Sequence, residues 1–513
     1  ENPLTPAKAV LGKMLFWDEQ LSSDNTVACG TCHQPEAGGG DPRVAVNPGP
    51  DGVEGTPDDR FASPGMRRSN AFNRYVMDPT FGSDLQVTGR SSPTMINAAF
   101  ASSLFWDGRA SSQFVDPDSG FVSILSGGAR ESQAVGPPLS GAEMSHDLRT
   151  WGDIVQKLAG VVPLKLATNL TPDIQAALAQ SADYPALFQQ AFGDPTITVE
   201  RVAYAMASYQ RTLISDQSPW DLYNAGDASA LSANQLAGYA LFFGPAGCNN
   251  CHSAPLFADN QFHNLGLRPV GEDAGRQDVT GISGDRGKFK TPTLRNSGLR
   301  PRFMHNGELG TMTEVNQLYA QGGGPFADNR SPLLAFANFG GPTAISQLND
   351  FVANALTDPR VAQGLPPFDR PTLRSEAVTA NNPVVGTATL GSDGVAPVMI
   401  ADSPANIGNS DFKIGVFGGP AFAPAWLVVS PNTVTQTNGG VGVFVDVFSP
   451  DLNLFPTTLK PRGGGSTGDT LRFPIANAPI LIGYDVYAQW FIADPNANAL
   501  GFAATPAVRV TVF

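Results

Sequence analysis

Two copies of one short pattern, Cys29-Gly-Thr-Cys32-His33 and Cys248-Asn-Asn-Cys251-His252, use all four cysteines of the chain. No thiol is left for a disulfide framework or a lone nucleophile. In such a site the two thiols form thioethers to porphyrin vinyl groups, and the adjacent imidazole is held beneath the iron. A dithiol redox motif or half of a zinc site needs no histidine directly after both pairs. The pattern therefore predicts two covalently bound haem c groups, attached through Cys29, Cys32, Cys248 and Cys251 and ligated by His33 and His252.

At 513 residues the chain exceeds the size at which one core usually splits. All five histidines precede residue 371, so the chemistry belongs to the earlier part. There, apolar residues at helical spacing predict helices over 200–213, 232–243, 313–320 and 344–356. The 55 glycines and 43 prolines predict long loops between them. After about residue 371 the texture turns to partly alternating stretches at 441–448, 482–491 and 507–513, separated by turn residues. The expected fold is a mainly α di-haem cytochrome c core with a C-terminal antiparallel β-sandwich, divided as 1–225, 226–370 and an accessory module at 371–513.

Lysine and arginine number 32 against 46 acidic residues, and the net charge of −14 argues against nucleic acid as a partner. No apolar run is long enough to span a bilayer. Covalent haem attachment implies maturation outside the cytoplasm, and a start at Glu1 without a leader-like segment reads as an exported product of the periplasm or cell surface. The acidic stretch Asp51-Gly-Val-Glu54-Gly-Thr-Pro-Asp58-Asp59 lacks a defined ligand order, and is read as a solvated loop before a calcium loop.

Blocks around the two haem motifs resemble the bacterial di-haem cytochrome c peroxidase and MauG family over residues 4–370. They are Leu11-Gly-Lys-Met-Leu-Phe16 with Leu21-Ser-Ser-Asp24, then Phe105-Trp-Asp-Gly-Arg109, Phe262-His-Asn264, Thr291-Pro-Thr-Leu-Arg-Asn296 and Met304-His-Asn-Gly307. The resemblance implies a peroxide-reactive first haem, with hydrogen peroxide as oxidant and a protein or small redox protein as electron donor. It implies Glu143, after Gln133 and Pro137, as general acid/base beside that haem. The stretch between Arg109 and Gln133 is longer than in most relatives and is expected to reshape access.

Many family peroxidases cap the first haem with a loop histidine, and here none lies between His33 and His146. The first haem is thus expected to be five-coordinate or water-bound unless His146, Met66 or Met77 reaches it. Tyr319 stands where electron-transfer peroxidases have a methionine, as in MauG-type members, with Met304 and Met312 as the alternative ligands. A phenolate favours higher iron oxidation states, whereas a thioether raises the potential. Trp106 takes the inter-haem position. Relatives bind calcium between the haems; Ser91 replaces the asparagine ligand and Arg300 and Arg302 hold the carbonyl positions, which leaves calcium open.

Overall fold

Thr5 caps the helix Pro6–Phe16 by accepting from Lys8 N, and Pro6 needs no amide donor in the first turn. Thr198 caps the helix Val199–Gln210 in the same way through Arg201 N. The two helices cross at Gly12, where a Cβ would lie 1.9 Å from the Ala205 carbonyl oxygen. Only glycine permits that approach. Leu11, Met14, Leu15, Val202, Met206 and Tyr209 build a first core around the crossing, and Val361, Phe368 and Leu373 return to it from far along the chain. The structure is a computed structural model that describes residues 1–336, 340–377, 382–462 and 466–513.

A second core repeats the device. The helix Ala233–Phe242 crosses Pro342–Asp350 at Gly238, whose Cβ would lie 2.1 Å from the Gln347 carbonyl oxygen. Trp220, Phe242, Phe257, Leu348 and Phe351 pack there. Helices expected over 200–213, 232–243 and 313–320 appear as Val199–Gln210, Ala233–Phe242 and Met312–Ala320. The segment expected as one helix over 344–356 is an α-helix to Asp350 that widens into a π-turn at Phe351–Ala355.

The segments following Pro93 and Pro292 also share one conformation, position for position. Asn97 and Asn296 are left-handed with φ of 58° and 60°, as are Phe105 and Met304 at 65° and 72°. Leu104 N donates to Ala110 O at 2.9 Å, and Phe303 N to Leu309 O at 2.8 Å. Each half of the region before residue 371 thus carries a crossed helix pair, a Cys-x-x-Cys-His turn and this loop.

In the C-terminal region a four-stranded antiparallel sheet contains Val398–Ile400, Lys413–Phe417, Thr467–Arg472 and Lys460–Pro461. A six-stranded antiparallel sheet is centred on Pro424–Ser430 and Asp485–Ala493. Ile414 and Val416 of the first meet Leu427, Trp490 and Ile492 of the second in one apolar core. The alternating stretches supply Val441–Val445, Asp485–Ala493 and Ala507–Thr511. Among the described residues, no helix is long and apolar enough to cross a membrane.

Candidate active site

Cys29–Cys32 form a single helical turn in which Thr31 Oγ1 accepts from Ala28 N at 2.8 Å. Gly30 lies flat on Trp17, since a Cβ there would be 2.2 Å from the indole. His33 Nδ1 lies 3.1 Å from the Gly39 carbonyl oxygen. That contact makes Nδ1 the donor and leaves Nε2 free as a ligand atom. Burial holds the imidazole below its usual pKa, in the neutral form that binds a metal.

Cys29, Cys32 and His33 line a cavity of about 780 Å³ that Gln133, Glu143 and Trp106 also line. All sequence-predicted residues of the first centre therefore meet in one space. Burial raises the Glu143 carboxyl above its ordinary value, opposed by the Arg109 guanidinium and a hydrogen bond from Ser140. An outer cavity of about 350 Å³ shares Phe105, Arg109, Pro137 and Glu143 with the main one. Glu143 thus stands where an approach from outside meets the inner space. The long stretch before Gln133 forms a hairpin, Phe114–Val115 with Val122–Ile124, and Ala110 and Ser132 at its two ends border the outer cavity.

His33 is the only histidine among the described residues lining the main cavity. Met66 is buried in the first core, and the ring of His146 turns to the Asp147 carbonyl oxygen at 2.8 Å. Neither they nor Met77 line the space.

The second centre is built alike. His252 Nδ1 lies 2.9 Å from the Phe257 carbonyl oxygen, and burial keeps the ring neutral. Cys248, Cys251, His252 and Tyr319 line a second, narrower cavity, with Met304, His305 and Met312. Thr311 and Glu314 cap the helix that carries Tyr319. Among the described residues nothing hydrogen-bonds the Tyr319 hydroxyl, whereas Tyr184 donates to Asp18 and Tyr209 accepts from Trp17. Burial, then the neighbouring thiols of Cys251 and Cys248, hold that phenol well above its usual pKa. The thiols themselves are pushed up by burial, Cys29 and Cys248 to about 12. A redox dithiol needs the opposite shift.

Pro93, Thr94, Pro292, Thr293, Lys290 and Trp106 line both cavities and so form the wall between them. Trp106 Nε1 donates to Ser91 O at 2.8 Å. Its ring lies 6.4 Å from His305, which stacks on Phe289 at 3.6 Å. Burial drives His305 down to about 3, so it stays neutral. Trp106 and His305 occupy equivalent places in the repeated loop, a relation absent from the motif reading. Comparing the chain with itself would have found it.

Arg300 holds one of the positions that left calcium open. Its guanidinium donates to Ser91 Oγ at 3.2 Å and Ser92 O at 2.8 Å. These are oxygens a divalent cation between the cavities would need, so this residue set does not fit calcium. In the acidic loop Asp58 accepts from Asp51 N at 3.0 Å and Asp59 Oδ2 from Gly55 N at 2.7 Å, while the buried Asp59 Oδ1 has no partner among the described residues. Cys251, Asp259 and His263 gather within 4.8 Å, but a thioether-bound Cys251 would leave two donors at most.

The donor sets do fit haem c: two un-ionised thiols and a neutral imidazole with its Nδ1 hydrogen bonded, on the wall of each cavity. The family model described as di-haem cytochrome c peroxidase matches residues 6–229. The methylamine utilization protein MauG of Methylorubrum extorquens is 32% identical over 338 residues, 65% of this chain and 73% of that protein. The cytochrome c551 peroxidase of Nitrosomonas europaea is 27% identical over 327 residues, 61% of this chain and 75% of that protein. A solved MauG-like protein associated with microbial copper homeostasis covers 72% of this chain and 93% of its own at a TM-score of 0.50 and 23% identity, a likeness of fold. With two Cys-x-x-Cys-His centres facing each other across one wall, the chain belongs to the di-haem cytochrome c peroxidase and MauG family, a family of peroxidases that carry haem c.

Proposed function

We propose that this chain is a MauG-type oxidoreductase of the periplasm or cell surface, which uses hydrogen peroxide to oxidise a protein or other electron donor. The observation that carries the choice is Tyr319, which lines the second cavity with His252 and whose hydroxyl has no hydrogen-bond partner among the described residues. A hard anionic oxygen there would favour the oxidised metal. Bound haem supplies the iron that takes up peroxide and the electrons that reduce it.

The chain's own groups handle the protons. Peroxide enters by the outer cavity, and the Glu143 carboxylate accepts a proton from the inner peroxide oxygen. It then delivers that proton to the outer oxygen, which leaves as water. Gln133 offers an amide to orient the peroxide, and Arg109 keeps Glu143 from becoming too basic to release its proton. Trp106 is an oxidisable ring between the two centres. Electrons from the donor enter over the surface, so no donor pocket is required.

Met304 and Met312 line the same cavity as Tyr319 and favour a second reading, a cytochrome c peroxidase fed by a small redox protein. Tyr319→Met separates the two. Under the first reading, the variant gains the near-infrared charge-transfer band of methionine-ligated iron and its second haem becomes easier to reduce. A wild-type protein that already shows this band, unchanged by the substitution, returns the chain to the electron-transfer peroxidases.

A further inference from the structure

The segment from Gly65 to Met77 has two working faces. One meets the loop of Glu143: a Cβ on Gly65 would sit 1.9 Å from the Ala142 carbonyl oxygen, and Asp147 N donates to Ser69 O at 2.8 Å. Asn73 Nδ2 donates to Ser23 O at 3.0 Å. Ser23 in turn donates from its amide to Met144 O at 3.0 Å and accepts from His146 N at 2.9 Å. Residues on both sides of Glu143 are therefore tied to this segment directly or through Ser23.

The other face meets the C-terminal sheets. Lys413, fully buried in the strand Lys413–Phe417, donates from Nζ to Asn73 Oδ1 at 2.7 Å, Asn73 O at 3.0 Å and Ser69 Oγ at 3.3 Å. The same ammonium lies 4.1 Å over the Tyr75 ring, and Tyr75 N donates to Thr470 Oγ1 at 3.1 Å. Gly415, the next residue but one, is a glycine because a Cβ would be 2.7 Å from that ring. Arg67 pairs with Asp402, and Asn25 Nδ2 reaches Asn409 Oδ1 at 3.3 Å. A buried ammonium is costly unless its donors are satisfied, and here all three are spent on two residues of one segment.

We infer that Lys413 is a positioning residue for Glu143: through Asn73 and Ser23 the C-terminal module holds the loop that carries the proton-transferring carboxylate. The chain of contacts is Lys413, Asn73, Ser23, then the Met144–His146 backbone. This gives the module a part in the peroxide chemistry besides any role in docking or attachment. The inference rests on the reading of Glu143 as proton carrier.

The test uses the full-length holoprotein. A placement error of about 1 Å costs up to roughly 100-fold in rate, so Lys413→Met should slow the reaction with peroxide by about 10- to 100-fold. Hydrogen exchange should quicken in peptides covering 69–73 and 142–147 and stay unchanged in 312–320. The acid limb of the peroxide reaction should move down, because a loosened Glu143 is less buried. In a Glu143→Gln background, Lys413→Met should add nothing. Lys460→Met, an exposed lysine of the same module, serves as control. If Lys413→Met fails to fold, Ser23→Ala removes the acceptor of His146 N at the other end of the chain and should show the same exchange and rate changes. Wild-type peroxide kinetics in a folded Lys413→Met protein, while Glu143→Gln is impaired, overturn the inference. No effect of Glu143→Gln itself overturns the reading beneath it.

Discussion

At Glu143 two opposing requirements are met by neighbours of different kinds. A proton carrier must hold its proton long enough to transfer it, and burial supplies that affinity; it must also be ionised when peroxide arrives, and Arg109 supplies that. The carboxyl lies above its ordinary value of 4.5, and in the proposed mechanism its basic form is the one that accepts from peroxide. The rate should therefore fall as pH drops through this raised value, with an acid limb above the ordinary carboxylate range. Glu143→Gln should lower the rate by about 10²- to 10⁴-fold and abolish that limb, with haem content unchanged. Arg109→Gln removes the cation that opposes burial, so the limb should move to higher pH. Stopped-flow kinetics against pH read both, and a limb unmoved in Arg109→Gln would show that this guanidinium does not set the carboxyl. Glu143, Gln133 and Tyr319 were visible as residues in order after recognisable blocks. Lys413 was not, because a cation's role depends on which oxygens the fold places beside it. Nothing in the local sequence around Lys413 names Asn73, 340 positions away.

Elements were more legible than contacts. The helices at 199–210, 233–242 and 312–320 announce themselves by periodicity, and the strands at 441–445, 485–493 and 507–511 by partial alternation. Periodicity could not show where two helices cross, since that depends on a single missing side chain. Gly12 and Gly238 have helical backbones, so their reason for being glycine is the partner's carbonyl and not the dihedral angle. Gly12→Ala and Gly238→Ala should each cost about 1–3 kcal/mol by overpacking. The spectral consequences should differ. Gly12→Ala pushes apart the helices that seat Trp17 under Gly30 and should perturb the ferric spectrum of the first haem alone. Gly238→Ala should perturb the second alone. Denaturant unfolding followed by EPR at both centres measures this, and a shared perturbation from either variant would show that the two cores do not insulate the centres from each other.

At the scale of the whole molecule the repeated loops matter most, because they turn two separate centres into a facing pair. Each loop contributes its Pro-Thr pair to the wall, and the equivalent positions 106 and 305 bring an indole and an imidazole within 6.4 Å of each other. The same loop conformation builds both sides of the wall, and the different residues at these positions give the two sides different chemistry. Trp106 can lose an electron, whereas His305, held neutral by burial and stacked on Phe289, can shape the second cavity without carrying charge. If the indole is the route between centres, Trp106→Phe should leave both haems attached and both ferric EPR signals in place. It should slow electron equilibration after reduction of one centre. The lost donor to Ser91 O should cost only about 1–2 kcal/mol in stability, so a folded protein is expected. Flash reduction followed at wavelengths that distinguish the two haems gives the rate directly. His305→Phe supplies the comparison, since it changes the same wall without removing the oxidisable ring and should leave equilibration near the wild-type rate. Equal slowing in both variants would mean that the packing of the wall, and not the indole, sets the coupling between the two centres.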